Sequence, residues 1–220
     1  MFKQIQYLTE ITYLKIFTSD QCIKIINTAL NTWNEEESRI LSTLNDVSTR
    51  EEQNFTEDLD YRNTTLYIPP NPDEKQYKEL KDTLLDPILG NIVSFNEDKD
   101  GYGFDIGGMI EPPTMMRYMA PDVNPNGKPG KYNWHIDIGP GTPASMRKLS
   151  YSILLNAGEY EGGELAFHTD RNTDPFPGQN DTEAVGSMIL FPSYLVHRVL
   201  PVTKGIRYVI AGWVHGNSFA

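Results

Sequence analysis

The feature that most constrains the fold is a change of texture near residue 112. Downstream of it, short runs rich in Tyr, Ile, Leu and Val alternate with turn residues, whereas the segments upstream carry helical patterns. Seven runs are predicted to be strands: residues 114–119, 131–138, 147–156, 162–168, 186–192, 194–201 and 206–214. Helices followed by many short strands predict a β-sandwich or barrel with helices packed on it.

The segments before residue 112 are predicted to be mainly helical, with a strand near the start. Ser19 or Asp20 is the expected N-cap of a first helix, and residues 71–95 hold two helical segments, with Pro87 ending or kinking the first. Two sets of apolar residues at helical spacing should face the core: Ile23, Ile26, Leu30 and Trp33, then Tyr77, Leu80, Leu84 and Leu85. Residues 45–65 are polar without a period, which predicts a mobile loop.

The chain of 220 residues shows neither a repeat nor a linker. We therefore expect one domain over residues 1–220, with mostly helical support and a lid loop in residues 1–111 and a β core in residues 112–216. The net charge of −11 argues against nucleic acid as a partner. A lone cysteine, Cys22, and the lack of a signal-like or membrane-spanning apolar run predict a cytoplasmic protein that is not attached to a membrane.

One strand of the second half carries a candidate metal site. His135 and Asp137 lie two residues apart, so alternation along a strand places both side chains on one side. His197 is the best third ligand among the four histidines. Two imidazoles and one carboxylate on one face are typical of non-haem Fe(II) oxygenases.

An arginine follows the candidate ligands. The turn between Pro201 and Gly205 is expected to lay the strands of His197 and Arg207 side by side, so the guanidinium could pair with a carboxylate near the metal. Arg207 shares a strand face with Val209, Ala211 and Trp213.

A competing ligand set exists. His168 and Asp170 repeat the His-x-Asp spacing, and His215 could be their third ligand. Asp170 opens a segment of turn residues, and no cation follows His215 at a distance like that of Arg207. The first set is therefore preferred.

With these residues in place, the chain resembles the Fe(II)/2-oxoglutarate-dependent oxygenases, in the prolyl 4-hydroxylase-like branch with the PKHD-type hydroxylases. The resemblance covers roughly residues 102–216 in the family's order. The matching stretches are YGFDI (102–106), MRYM (116–119), YNWHID (132–137), RKLSYSILLN (147–156), YEGGELAF (160–167) and GSMILFPSYLVHRVLPVTKGIRYVIAGWVHG (186–216).

The resemblance implies a double-stranded β-helix of the jelly-roll type, which agrees with the predicted sandwich. It implies that His135, Asp137 and His197 bind iron and act in catalysis, and that Arg207 binds the far carboxylate of 2-oxoglutarate. Tyr118 and Ser150 are further expected contacts of this cosubstrate, although Leu154 stands where prolyl hydroxylases often have a tyrosine. Three low-ranking substrate contacts complete the expectation: Arg50, Arg62 and Trp213.

The implied activity is oxidative decarboxylation of 2-oxoglutarate to succinate, coupled by Fe(II) and O2 to hydroxylation of a prolyl residue in a peptide or protein. Ascorbate is the reductant that such enzymes can use. Two alternatives remain open: the same chemistry on a free amino acid or small metabolite, and a catalytically inactive β-sandwich that acts as a binding module. The sequence contains no feature that predicts an oligomeric state.

Overall fold

The computed structural model describes residues 11–37, 40–41, 55–56, 58–70, 74–168, 175 and 177–218. Within them, helices cover one face of a large antiparallel sheet whose other face looks onto a smaller sheet. In chain order the strands are β1 (Thr12–Lys15), β2 (Asn34–Glu37), β3 (Ile40–Leu41), β4 (Phe55–Thr56), β5 (Arg62–Asn63), β6 (Thr65–Ile68), β7 (Thr114–Met119), β8 (Lys131–His135), β9 (Arg147–Leu154), β10 (Glu161–Gly162), β11 (Leu165–Phe167), β12 (Ser187–Pro192), β13 (His197–Val199), β14 (Val202–Lys204) and β15 (Ile206–His215). The predicted jelly-roll core is confirmed.

The first helix, α1 (Ser19–Thr32), begins one residue earlier than predicted, because its N-cap is Thr18. The Thr18 hydroxyl accepts from the Gln21 N–H at 3.3 Å, and the Gln21 side chain accepts from the Thr18 N–H at 2.9 Å. Only a cap at Thr18 puts a glutamine at the third helical position, where it can complete this capping box.

The predicted apolar face of α1 was partly wrong. Ile23 is 56 % exposed and Leu30 39 % exposed, whereas the fully buried side chains of the helix are Cys22 and Ala29. Ile26 and Trp33 pack against the core as expected. Small side chains therefore make the fully buried contacts of this helix with the core, and the larger ones are only partly buried.

The second helical region is one continuous helix with a π-helical turn in its middle. It consists of α2 (Glu74–Leu80), a π-helical turn (Lys81–Leu85) and α3 (Asp86–Glu97). Pro87 lies in the first turn of α3, where a missing N–H is tolerated. The distortion that was predicted at Pro87 is therefore absorbed by the π turn before it. Leu84 is buried as predicted, but Tyr77 is 50 % exposed.

The larger sheet has seven strands in the order β1-β12-β9-β15-β7-β6-β2. Strand β9 lies near its centre and is buried on both faces. Leu149, Tyr151 and Ile153 pack in the cluster that contains the helices, whereas Leu154 belongs to the cluster between the two sheets. The alternate residues Ser150 and Ser152 lie on the inner face with it.

The smaller sheet has four strands in the order β11-β13-β8-β5. Strand β5 falls inside residues 45–65, so the end of this predicted loop contributes strands to both sheets through β5 and β6. Residues 45–54 and 57 lie outside the described residues, so the predicted lid stays a prediction.

The strands of His197 and Arg207 are not neighbours, which corrects a prediction. Strand β13 pairs with β8 and β11 in the smaller sheet, whereas β15 pairs with β7 and β9 in the larger one. The short strand β14, which the sequence did not predict, pairs with β10 as the chain crosses between the sheets. Arg207 therefore faces the small sheet from across the sandwich.

We expect Thr18→Ala to destabilise the protein by about 1 kcal/mol, because it removes the hydroxyl half of the capping box. Ser19→Ala is the matched control, since Ser19 is already inside the helix. Urea unfolding measures both free energies. Equal losses for the two variants would contradict the assignment of the cap.

Candidate metal and cosubstrate site

Two histidines and an aspartate converge at one end of the smaller sheet. His135 ends β8, His197 begins β13, and the two face each other as cross-strand partners. Nε2 of His135 lies 3.7 Å from Oδ1 of Asp137, and Nε2 of His197 lies 3.5 Å from Oδ2. One ligand atom from each residue lies within 4.8 Å of the others. The predicted three residues are thus brought together.

Backbone carbonyls fix which nitrogen each imidazole presents. Nδ1 of His135 lies 2.7 Å from the Asn133 carbonyl, and Nδ1 of His197 lies 2.8 Å from the Leu195 carbonyl. A carbonyl oxygen can only accept, so each Nδ1 carries a proton and donates it. Both Nε2 lone pairs are then left facing Asp137, as ligation of a divalent metal requires.

The charges of the three residues suit a cation. Burial and the neighbouring His197 lower the pKa of His135 to about 4, so its imidazole is neutral at pH 7. Burial opposes ionisation of Asp137, but the two histidines together with Ser150 and Trp213 outweigh it and hold the pKa of Asp137 below its usual value. A buried carboxylate beside two imidazoles is a donor set for Fe(II).

Asp137 lies beyond the end of β8, although the sequence predicted a strand through residue 138. Strand alternation alone therefore does not place its carboxylate. Its backbone is held instead: the Asp137 N–H donates to the Ser193 carbonyl at 3.0 Å, and the Asp137 carbonyl accepts from Nη1 of Arg147 at 2.9 Å.

Arg207 is buried with an unsatisfied guanidinium. It is 1 % exposed, and Nε, Nη1 and Nη2 have no hydrogen-bond partner among the described residues. Its Cζ lies 5.3 Å from the ring centroid of Tyr118, its cross-strand partner. An unpaired buried cation is costly, so the inner face of the sandwich is built to receive an anion.

Tyr118 and Ser150 occupy the same inner face. The Tyr118 hydroxyl has a weak partner, the Sδ atom of Met116 at 3.4 Å, which leaves it able to serve a stronger acceptor. The Ser150 hydroxyl donates to Ser193 Oγ at 2.9 Å and also lies against the Asp137 carboxyl. Its position favours support of the carboxylate, and its contact with a cosubstrate stays a prediction.

The three residues predicted to contact the substrate differ in their positions relative to the candidate ligands. Trp213 interacts with the Asp137 carboxyl and helps to lower its pKa, so it lies beside this candidate ligand. The Cζ of Arg62 lies 4.5 Å from the Tyr132 ring centroid, and that ring stacks on His135 with centroids 3.6 Å apart. The Tyr132 ring therefore lies between Arg62 and the candidate ligand His135. Arg50 lies outside the described residues.

The competing ligand set does not assemble among the described residues. His168 is exposed at the end of β11, and its ring meets Trp134 edge-on. His215 is buried, with Nε2 2.9 Å from Oε2 of Glu111. Asp170 lies outside the described residues. Both histidines thus have environments of their own away from the three clustered residues.

Sequence reasoning missed Tyr132, Arg147 and Glu111. Tyr132 lies three residues before His135, but alternation predicted the opposite face; the irregular pairing of β8 with β13 lets its ring stack on the imidazole. Arg147 was included in a strand without a role. Glu111 preceded the predicted β core, and nothing in its spacing connects it to the ligands.

Two consecutive glycines lie at the end of β10. Gly162 and Gly163 have φ angles of 74° and 73°, and the pairing of β10 with β14 shifts at Gly162. A Cβ on Gly163 would lie 2.8 Å from Cδ of Arg207. The glycine therefore leaves room for the arginine side chain.

No helix in the described part of the chain is both long and apolar enough to cross a membrane.

Comparisons with known proteins agree with this geometry. Residues 116–215 match the model of the 2OG-Fe(II) oxygenase superfamily. A PKHD-type hydroxylase of Hyphomonas neptunium is 34% identical over 103 residues, 45% of this chain and 44% of the relative. One of Parvibaculum lavamentivorans is 33% identical over 135 residues, 59% of this chain and 56% of the relative. The chain thus spans about half the length of these relatives.

Solved structures share the fold. A Pseudomonas putida prolyl-4-hydroxylase aligns with a TM-score of 0.60 and 16% identity, covering 96% of this chain and 94% of that one. A Trichoplax adhaerens prolyl hydroxylase, solved with a hypoxia inducible factor peptide fragment, aligns with a TM-score of 0.58 and 16% identity, covering 96% and 86%. Residues 116–215 are therefore similar to the 2OG-Fe(II) oxygenase superfamily, and the chain resembles PKHD-type hydroxylases in sequence and prolyl 4-hydroxylases in fold.

Proposed function

We propose that the protein is an Fe(II)- and 2-oxoglutarate-dependent hydroxylase. The observation that carries the proposal is the pairing of two complementary features on the two facing sheets. The smaller sheet offers two imidazoles, each with Nδ1 against a backbone carbonyl, and a carboxylate for a divalent metal. The larger sheet offers a buried guanidinium that has no partner among the described residues. A metal chelator with a distant carboxylate satisfies both.

The residues divide the work as follows. His135, Asp137 and His197 would hold the iron, Arg207 would pair with the far carboxylate of 2-oxoglutarate, and Tyr118 would donate to it. When bound, iron, 2-oxoglutarate and O2 supply oxidative decarboxylation to succinate coupled to hydroxylation of a substrate C–H bond. The protein's part is to bind and orient these groups and to exclude water.

Small residues lie on the inner face near Arg207 and would leave room for such a cosubstrate. The neighbours of Arg207 on its strand face include the small residue Ala211, and Ser152 lies opposite Ala211 on β9. Leu154 replaces the tyrosine expected from the family pattern, and it is buried in the apolar cluster. The cosubstrate would therefore rely on Arg207 and Tyr118 for its polar contacts there.

A prolyl residue in a peptide or protein is the proposed substrate. The support is the resemblance to proteins named PKHD-type hydroxylase and to solved prolyl hydroxylases, one of which holds a peptide. Arg62, with the Tyr132 ring beneath it, would line the entrance, and Arg50 is a further proposed contact. A free amino acid or small metabolite is the second candidate, since both would fit beside the same metal.

The test incubates iron-loaded protein with 2-oxoglutarate, ascorbate and a library of proline-containing peptides. We expect succinate together with peptides that gain the mass of one oxygen atom. Succinate without a modified peptide would remove the prolyl substrate and favour a small metabolite. No succinate at any iron concentration would contradict the enzyme and favour the inactive binding module.

A further inference from the structure

Next to Asp137 lies Arg147, an arginine whose three guanidinium nitrogens each donate a hydrogen bond. Nε of Arg147 lies 2.7 Å from Oε2 of Glu111 and Nη2 lies 2.5 Å from Oε1, which makes a two-pronged ion pair. Nη1 donates to the Asp137 carbonyl at 2.9 Å. The guanidinium is thus fixed in orientation by a carboxylate on one edge and holds the backbone of a candidate metal ligand with the other.

The flat face of the same guanidinium makes a further contact. Its Cζ lies 3.6 Å from the ring centroid of Trp213, which is the distance of close cation–π stacking. The Trp213 side chain in turn interacts with the Asp137 carboxyl. Arg147 therefore contacts the Asp137 backbone directly and also stacks on a neighbour of its carboxylate.

Glu111 is itself held in place by His215. The Ile110 N–H donates to Nδ1 of His215 at 3.2 Å, so Nδ1 carries a lone pair. In the neutral ring the proton is then on Nε2, which lies 2.9 Å from Oε2 of Glu111 and donates to it. His215 is buried, and it ends the strand β15 that also carries Trp213.

The contacts of Arg147 with Asp137 matter because Asp137 lies outside any strand. Strand β8 ends at His135, and the chain then turns away before it re-enters the larger sheet at Arg147. Of the three clustered ligands, the carboxylate alone lies outside regular structure. A ligand on such a segment needs other groups to fix its direction if the metal is to find it preorganised.

We propose that Arg147, oriented by Glu111, is a positioning residue that holds the Asp137 carboxylate ready for the metal. This role rests on the proposed function, since it requires that the three clustered residues bind a divalent cation. Lysine cannot replace the arginine, because an ammonium group lacks both the planar face for Trp213 and the fork for Glu111.

The test measures binding of Co(II) alone by competition with a chromophoric chelator, together with the visible spectrum of the bound Co(II). Arg147→Lys and Glu111→Gln are each expected to weaken Co(II) binding roughly 10- to 100-fold, the usual effect of removing a group that orients a ligand. The spectrum should also change, since the geometry around the ion loosens.

One control separates positioning from general stability. Ile153→Val, on the helix-facing side of the strand that begins with Arg147, should lower the thermal midpoint but leave Co(II) affinity unchanged. Wild-type affinity and spectrum in the Arg147 and Glu111 variants would overturn the proposal, as would equal weakening by Ile153→Val. Failure of the wild type to bind Co(II) would instead overturn the proposed function.

Discussion

Asp137→Ala is expected to abolish metal binding and all formation of succinate. The carboxylate is the one anionic member of the cluster, and the two imidazoles that remain are held on separate strands. Loss of a supporting group alone costs roughly 10- to 100-fold in metal affinity, so loss of the ligand itself should exceed about 100-fold. Calorimetric titration with Co(II) and a succinate assay with Fe(II) measure the two effects.

His168→Ala is the matched control, because it removes a histidine of the competing set without touching the cluster. It should bind Co(II) and form succinate as the wild type does, since His168 is exposed at the end of β11. The reverse pattern, with loss in His168→Ala and activity in Asp137→Ala, would place the metal at the other His-x-Asp pair.

Arg207→Met is expected to have opposite effects on cosubstrate binding and on stability. Truncating one partner of a buried charge pair costs about 2–5 kcal/mol, so 2-oxoglutarate should bind roughly 30-fold to several thousand-fold more weakly. Without 2-oxoglutarate the variant should be at least as stable as the wild type, because methionine fills similar space and removes an unpaired buried charge. Calorimetry with 2-oxoglutarate and thermal unfolding of the ligand-free proteins measure both.

Arg117→Met is the control for the loss of an arginine from the same region. Arg117 pairs with the exposed Glu35 at 3.0 Å and lies next to Tyr118, on the opposite face of β7. Its substitution should leave 2-oxoglutarate affinity unchanged. A stability loss in Arg207→Met with unchanged 2-oxoglutarate affinity would show that Arg207 is a structural residue.

Periodicity predicted those parts of the structure that depend on local pattern. The strands β7, β9, β12 and β15 were predicted nearly to the residue, because each combines apolar alternation with turn residues at its ends. The cluster of His135, Asp137 and His197 was predicted from residue types and spacing, supported by the family resemblance.

Errors arose where tertiary contacts override local pattern. The spacing of Ile23 and Leu30 indicated a buried face, but the side of α1 that packs on the core is the one that carries Cys22 and Ala29. The turn before Arg207 looked like a hairpin, yet the chain changes sheets there. Glu111 and Arg147 are far apart in sequence and meet in an ion pair, so no local pattern could connect them.

The most direct test of the account is an anaerobic titration of the protein with Fe(II) and 2-oxoglutarate, followed by visible absorption, because it needs no knowledge of the substrate. A 2-oxo acid that chelates Fe(II) through its oxo and carboxylate groups gives a charge-transfer band. We expect the band to saturate at one equivalent of each ligand in the wild type, to be absent in Asp137→Ala and to need far more 2-oxoglutarate in Arg207→Met. Absence of the band in the wild type, or its persistence in Asp137→Ala, would contradict the account.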